Sequence, residues 1–135
     1  MLNDYAYLYV EDDPFSREIM QMLMENVMDV RNLTIFDDST NFIDHLKLLQ
    51  PKPDVILLDI HVKPHSGFEM LKLVREDPAY QNSKVIALTA SVMNEEVAKL
   101  RESGFDAAIA KPLSMQTFPD MIARVMSGET VWYVA

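Results

Sequence analysis

The sequence has no cysteine, which excludes a disulfide framework and removes the thiolates on which most structural zinc sites depend. No apolar run approaches the roughly 20 residues of a membrane span. The amino end, Met1-Leu2-Asn3-Asp4, lacks the basic flank and long apolar stretch of a signal peptide. Basic residues are few and unclustered: 12 Lys and Arg stand against 21 Asp and Glu, a net charge of -9, so the electrostatic footprint for a nucleic-acid backbone is missing. Internal repeats, low-complexity stretches and linkers are also absent. These absences lead to the expectation of a cytoplasmic protein with no membrane segment and no direct nucleic-acid binding. At 135 residues, 49% of them hydrophobic, the chain is long enough for one domain with a sizeable core.

What is present is an alternation of short apolar runs with helical periodicity. The most apolar run, Val55-Ile56-Leu57-Leu58, ends on Asp59 and reads as a strand buried on both faces. Tyr5 to Val10 is a first strand ending in Glu11-Asp12-Asp13. Asp13 then serves as N-cap and Pro14 as first residue of a helix whose apolar stripe is Phe15, Ile19, Met22, Leu23 and Val27. A short strand over 31–36 precedes a second helix carrying Phe42, Ile43, Leu46 and Leu49. Ser66 and Glu69, in capping-box spacing, open a third helix with Phe68, Leu71 and Val74 inward. A fourth strand, 84–88, has Thr89 at its tip. Asn94 is placed as the cap of a fourth helix ending at Gly104, a fifth strand over 107–110 delivers Lys111, and a last helix from about Thr117 buries Met121, Ile122 and Val125. Five β-α repeats predict an α/β fold, a doubly wound, five-stranded parallel sheet. The domain is expected over residues 1–127, with 128–135 a short tail and no output domain.

Right-handed crossovers put every strand's carboxyl end on one edge, so Glu11, Asp12, Asp59, Thr89 and Lys111 should converge. Taken singly, each has a plainer reading: an acid after a strand is a loop acid or helix cap, a threonine a turn hydroxyl, a lysine a solvated charge. Only their joint placement carries a functional reading. Three converging carboxylates would repel one another, and a cation relieves this. An all-oxygen set with few carboxylates suits Mg2+ better than a dedicated calcium cage. Lys111 and Thr89 are groups suited to the oxygens of a phosphoryl group in transfer, which makes Asp59 the candidate nucleophile for an acyl phosphate.

Through Tyr9-Val10-Glu11-Asp12-Asp13-Pro14, Leu57-Leu58-Asp59, Ala87-Leu88-Thr89-Ala90 and Ala110-Lys111-Pro112, the sequence resembles the receiver domains of bacterial two-component response regulators over essentially its whole length. The resemblance implies the flavodoxin-like (βα)5 fold, with Glu11 and Asp12 as the acidic pair for Mg2+. It makes Asp59 the phosphoacceptor and a further metal ligand, and has His61 lend a backbone carbonyl. Thr89 would move toward the phosphoryl group, Lys111 would pair with it, and Lys111-Pro112 would be a cis peptide. Asp13 is assigned to the helix cap and not to the metal. The implied function is a signalling switch rather than an enzyme, fed by a histidine kinase or phosphotransfer protein and read by an unknown downstream protein at helix 4, strand 5 and helix 5. A homodimer is allowed.

Two positions depart from the family pattern. Lys63 stands four residues after the acceptor, where proline is typical, and Ala108 stands where an aromatic residue usually couples phosphorylation to the output surface. His61 and Ser91 occupy positions that overlook the phosphoryl site, and His61 is expected to influence the lifetime of the phosphorylated state. The tail is unusually apolar, as if to fold back on the domain or dock on a partner. Two rival readings follow. One is an interaction module that does not need phosphorylation, supported by Ala108. The other is a phosphatase of the haloacid dehalogenase-like class, disfavoured because His61 occupies the place of that class's second acid.

Overall fold

In a computed structural model, which describes residues 1–90 and 93–132, the alternation forms one continuous sheet. In chain order the elements are β1 (Ala6–Val10), α1 (Pro14–Met22), β2 (Asn32–Phe36), α2 (Phe42–Lys47), β3 (Val55–Asp59), α3 (Gly67–Arg75), β4 (Lys84–Thr89), α4 (Asn94–Ser103), β5 (Ala107–Ala110), α5 (Phe118–Met126) and β6 (Val131–Trp132). The sheet is parallel throughout, in the order β2-β1-β3-β4-β5-β6. This is the expected doubly wound fold with one addition: part of the tail folds back as β6 on the outer edge of β5. Ser91 and residues 133–135 lie outside the described residues.

β1 and β3 are buried along their whole length because both sheet faces are covered. Tyr7, Tyr9, Leu57 and Leu88 face one apolar layer with Met20, Leu23, Phe118, Ile122 and Val125. Leu8, Val10, Ile56 and Leu58 face the other, with Phe42, Leu46, Leu71, Val74 and Leu100. Alternate side chains thus enter opposite layers, as the twofold period of a strand requires.

α1 corrects the expected stripe. Met20, Leu23 and Met24 are the buried residues, whereas Phe15, Met22 and Val27 are exposed, Phe15 at 68%. The helix docks on a face rotated from the one drawn through Phe15, and its continuation Leu23–Val27 widens into a π-type turn that shifts the phase further. Asn94 is likewise the first residue of α4 and not its cap, the cap position being Met93. Asp13 caps α1 by accepting the Ser16 N–H at 2.9 Å, and Ser66 with Glu69 closes the capping box of α3.

Candidate functional site at the carboxyl edge of the sheet

Each site residue is delivered by a strand end. Glu11 follows β1 directly, and its backbone N–H bonds the Phe36 carbonyl, so it continues the ladder toward β2 for one more residue. Asp59 is the last residue of β3, and Thr89 the last of β4. Lys111 leaves β5 with its backbone N–H on the Thr89 carbonyl at 2.8 Å, and the Lys111-Pro112 peptide is cis. The turn after Asp59 requires Gly67: a Cβ there would lie 2.9 Å from the Ile60 side chain and 3.2 Å from the Asp59 carbonyl. The glycine lets the start of α3 close against the strand exit.

These residues do converge. One carboxylate oxygen each from Glu11, Asp12 and Asp59 lie within 4.8 Å of one another. Glu11 and Asp59 are buried, Asp12 is exposed, and Thr89 is buried at the end of the neighbouring strand. Lys111 Nζ donates to Glu11 Oε1 at 2.7 Å and stands 3.8 Å from Asp59 Oδ1. The side chain of His61 is exposed, and its backbone N–H bonds the Asp59 carboxylate. Lys63 is exposed as well. The loop that carries it is held from below by buried Ser39, whose hydroxyl donates to the His65 carbonyl and accepts the His65 N–H.

Burial, followed by the hydrogen bond and negative charge of Glu11, pushes the Asp59 carboxyl up to about 6, against the opposing pull of Lys111 and the His61 N–H. Burial acts upward on Glu11 too, but hydrogen bonds from Asp59, Lys111 and Tyr9 outweigh it and hold this carboxyl below its usual range. Of the pair, Asp59 is therefore the carboxyl that takes up a proton first as the pH falls. Two buried acids beside an exposed third, with one lysine to balance them, leave excess negative charge at the carboxyl edge of the sheet. A hard divalent cation such as Mg2+ fits that donor set, and an anionic oxygen could complete its shell.

Tyr9 escaped the sequence reading. Its side chain is 1% exposed, and its hydroxyl donates to Glu11 Oε1 at 2.8 Å. The available signal was the spacing, since residues two apart on a strand share a face. Arg17 was missed as well; its guanidinium bonds the Glu11 carbonyl at 2.9 Å and fixes the start of α1 against the site.

Comparison with known proteins places this geometry in context. The family model for the response regulator receiver domain matches residues 7–123. A nitrate/nitrite response regulator protein homolog of Haemophilus influenzae is 28% identical over 131 residues, 97% of this chain and 61% of its own. The polar-differentiation response regulator DivK of Brucella anthropi is 37% identical over 71 residues, 53% of this chain and 58% of its own. The matches thus span about three fifths of those relatives' length. Among solved structures, the signal receiver domain of a DNA binding response regulator from Colwellia psychrerythraea superposes with a TM-score of 0.80 at 25% identity, covering 92% of this chain and 99% of that one. The receiver domain of a sensor histidine kinase from Pseudomonas aeruginosa has a TM-score of 0.79 at 19% identity, covers 92% of this chain and 98% of its own, and holds a magnesium ion coordinated in its active site cleft.

Proposed function

The chain belongs to the response regulator receiver domain family, and on that premise we propose that it accepts a phosphoryl group on Asp59, with Mg2+, and works as a phosphorylation-dependent switch. The observation that carries the reading is the placement of Asp59 at the tip of β3, with Lys111 Nζ 3.8 Å away and two further carboxylates gathered beside it. The donor in this reading is a phosphohistidine on a histidine kinase or phosphotransfer protein. An Asp59 carboxylate oxygen attacks phosphorus, the phosphorus–nitrogen bond breaks, and the imidazole leaves with the electron pair and takes up a proton. For reset, water attacks phosphorus, the bond to Asp59 breaks, and phosphate and the free carboxylate result.

Glu11, Asp12, Asp59 and the His61 carbonyl would hold the cation, which when bound neutralises charge on the phosphoryl oxygens. Lys111 brings its ammonium to the same oxygens, and the Thr89 hydroxyl turns toward them. The state of Asp59 would thereby bias α4, β5 and α5, the surface we assign to a separate downstream protein. Uptake and hydrolysis are input and reset rather than turnover of a substrate, and the setting is the cytoplasm, where a kinase domain presents its histidine. No helix among the described residues is long and apolar enough to cross a membrane.

Mass spectrometry after incubation with acetyl phosphate and Mg2+ tests the reading. One phosphoryl adduct on the parent, absent from Asp59→Asn, is expected. No adduct on the parent, or an undiminished one in the variant, removes the proposal, and turnover of an added phosphate ester would favour a phosphatase instead.

A further inference from the structure

We infer that Tyr9 is a positioning residue of the cation site, its buried hydroxyl fixing the carboxylate of Glu11 for the metal. The inference rests on the Mg2+-dependent reading above. Glu11 has one more rotatable bond than an aspartate in the same place, and its side chain is 1% exposed, so no solvent shell orients it. Its Oε1 accepts from Tyr9 at 2.8 Å and from Lys111 at 2.7 Å, while Oε2 takes a longer contact from the Asp13 N–H at 3.3 Å. Lys111 cannot remain the sole anchor, because the same ammonium is 3.8 Å from Asp59 Oδ1 and is the group that must turn to an arriving phosphoryl. Tyr9 has no such second task. Its ring sits in the apolar layer with Met20, Leu57 and Phe118, on the central part of the sheet, and its hydroxyl is cut off from water. When Lys111 turns away, Tyr9 is the donor that keeps Glu11 Oε1 in place. Partners that orient a metal ligand in this way commonly change metal affinity by about 10–100-fold when removed.

Calorimetric titration of Mg2+ into the parent, Tyr9→Phe, Glu11→Asp and the double variant tests the inference, alongside the tyrosine ultraviolet difference spectrum on Mg2+ addition. Tyr9→Phe is expected to weaken Mg2+ binding about 10-fold with the circular dichroism spectrum unchanged, and to abolish a tyrosine difference band seen in the parent. In Glu11→Asp, whose shorter carboxylate lies out of reach of the hydroxyl, the same tyrosine substitution is expected to change affinity less than 2-fold. Parent-like Mg2+ affinity in Tyr9→Phe, or an equal loss in both backgrounds, overturns the role of Tyr9 and leaves the phosphoacceptor reading standing. No Mg2+ binding by the parent overturns both. Should Tyr9→Phe fail to fold, Glu11→Asp decides alone: loss of the tyrosine band with Mg2+ binding retained supports the inference, and persistence of the band overturns it.

Discussion

Ala108 and Trp132 are partners across the β5-β6 ladder, and the indole of the tail lies beside the small side chain that stands where an aromatic residue was expected. The Arg101 guanidinium of α4 sits over the indole, 5.5 Å from the ring centroid, so the sixth strand ties the helix after the Thr89 strand to the strand before Lys111. An alanine leaves room on β5, and the tryptophan from β6 packs next to it. The aromatic group paired with Ala108 across the ladder comes from the tail.

Trp132 is the single tryptophan, so its emission reports the surroundings of this one side chain. Being half-buried, it should contribute less than a fully buried ring, and Trp132→Ala is expected to cost about 1–2 kcal/mol in chemical denaturation. Ala108→Tyr forces a ring into a position only 2% exposed and is expected to cost about 1–3 kcal/mol while shifting the Trp132 emission to the red. Unchanged emission in Ala108→Tyr would show that the two side chains do not compete for space.

The Asp59 carboxyl contributes a pH dependence of the less common sign, opposite to that of Glu11, whose carboxyl is held low. Its folded-state pKa is raised from 3.8 to about 6. Below the lower value both folded and unfolded chains hold the proton, and there is no penalty. As pH rises through the window the unfolded chain releases it first, so stability falls, and above about 6 the full cost is present. With EDTA present, Asp59→Asn is expected to raise Tm at neutral pH, the gain shrinking to nothing as the pH falls toward 4. Mg2+ affinity of the parent should weaken below about pH 6 as protons compete for the ligand, with proton release measurable in buffers of differing ionisation enthalpy. A pH-independent difference between parent and Asp59→Asn would remove this account.

Among the described residues, Lys111 is the one cation paired with the carboxylates of Glu11 and Asp59. Lys111→Ala is expected to slow phosphoryl uptake from acetyl phosphate by about 100-fold, the scale seen when a charge-stabilising donor is deleted. The substitution also removes a force that lowers the Asp59 pKa, so the uptake profile should shift to higher pH. Stopped-flow phosphorylation across pH measures both effects.

His61 holds Asp59 through its backbone, which a side-chain substitution leaves in place. His61→Ala is therefore expected to take up phosphoryl at the parental rate but to lose it a few-fold faster, because the exposed imidazole no longer obstructs water. Equal dephosphorylation rates would confine His61 to its backbone role.

The rotated face of α1 is open to a direct stability test. Met20 is 0% exposed and Phe15 68% exposed. Met20→Ala should cost about 2–5 kcal/mol, and Phe15→Ala no more than about 0.5 kcal/mol. The reverse order would restore the stripe expected from the sequence.

The sequence by itself determined the order of the elements, most of their boundaries and the residues at the strand ends. These depend on local physics: apolar runs that must be covered on both faces, Asp13 and Ser66 as caps, and Gly104, whose φ of 103° ends α4 where the periodicity stops. The convergence of Glu11, Asp12, Asp59, Thr89 and Lys111 was legible too, because parallel strands with right-handed crossovers leave no other arrangement. Only the tertiary structure decided how α1 turns, since the stripe through Phe15 and the one through Met20 share Leu23, and only the layer beneath α1 selects between them. It also decided that Tyr9 meets Glu11, that Lys111 bonds Glu11 more closely than Asp59, and that the tail pairs with β5. Each of these depends on which groups meet across layers of the fold, and no pattern within one segment records that.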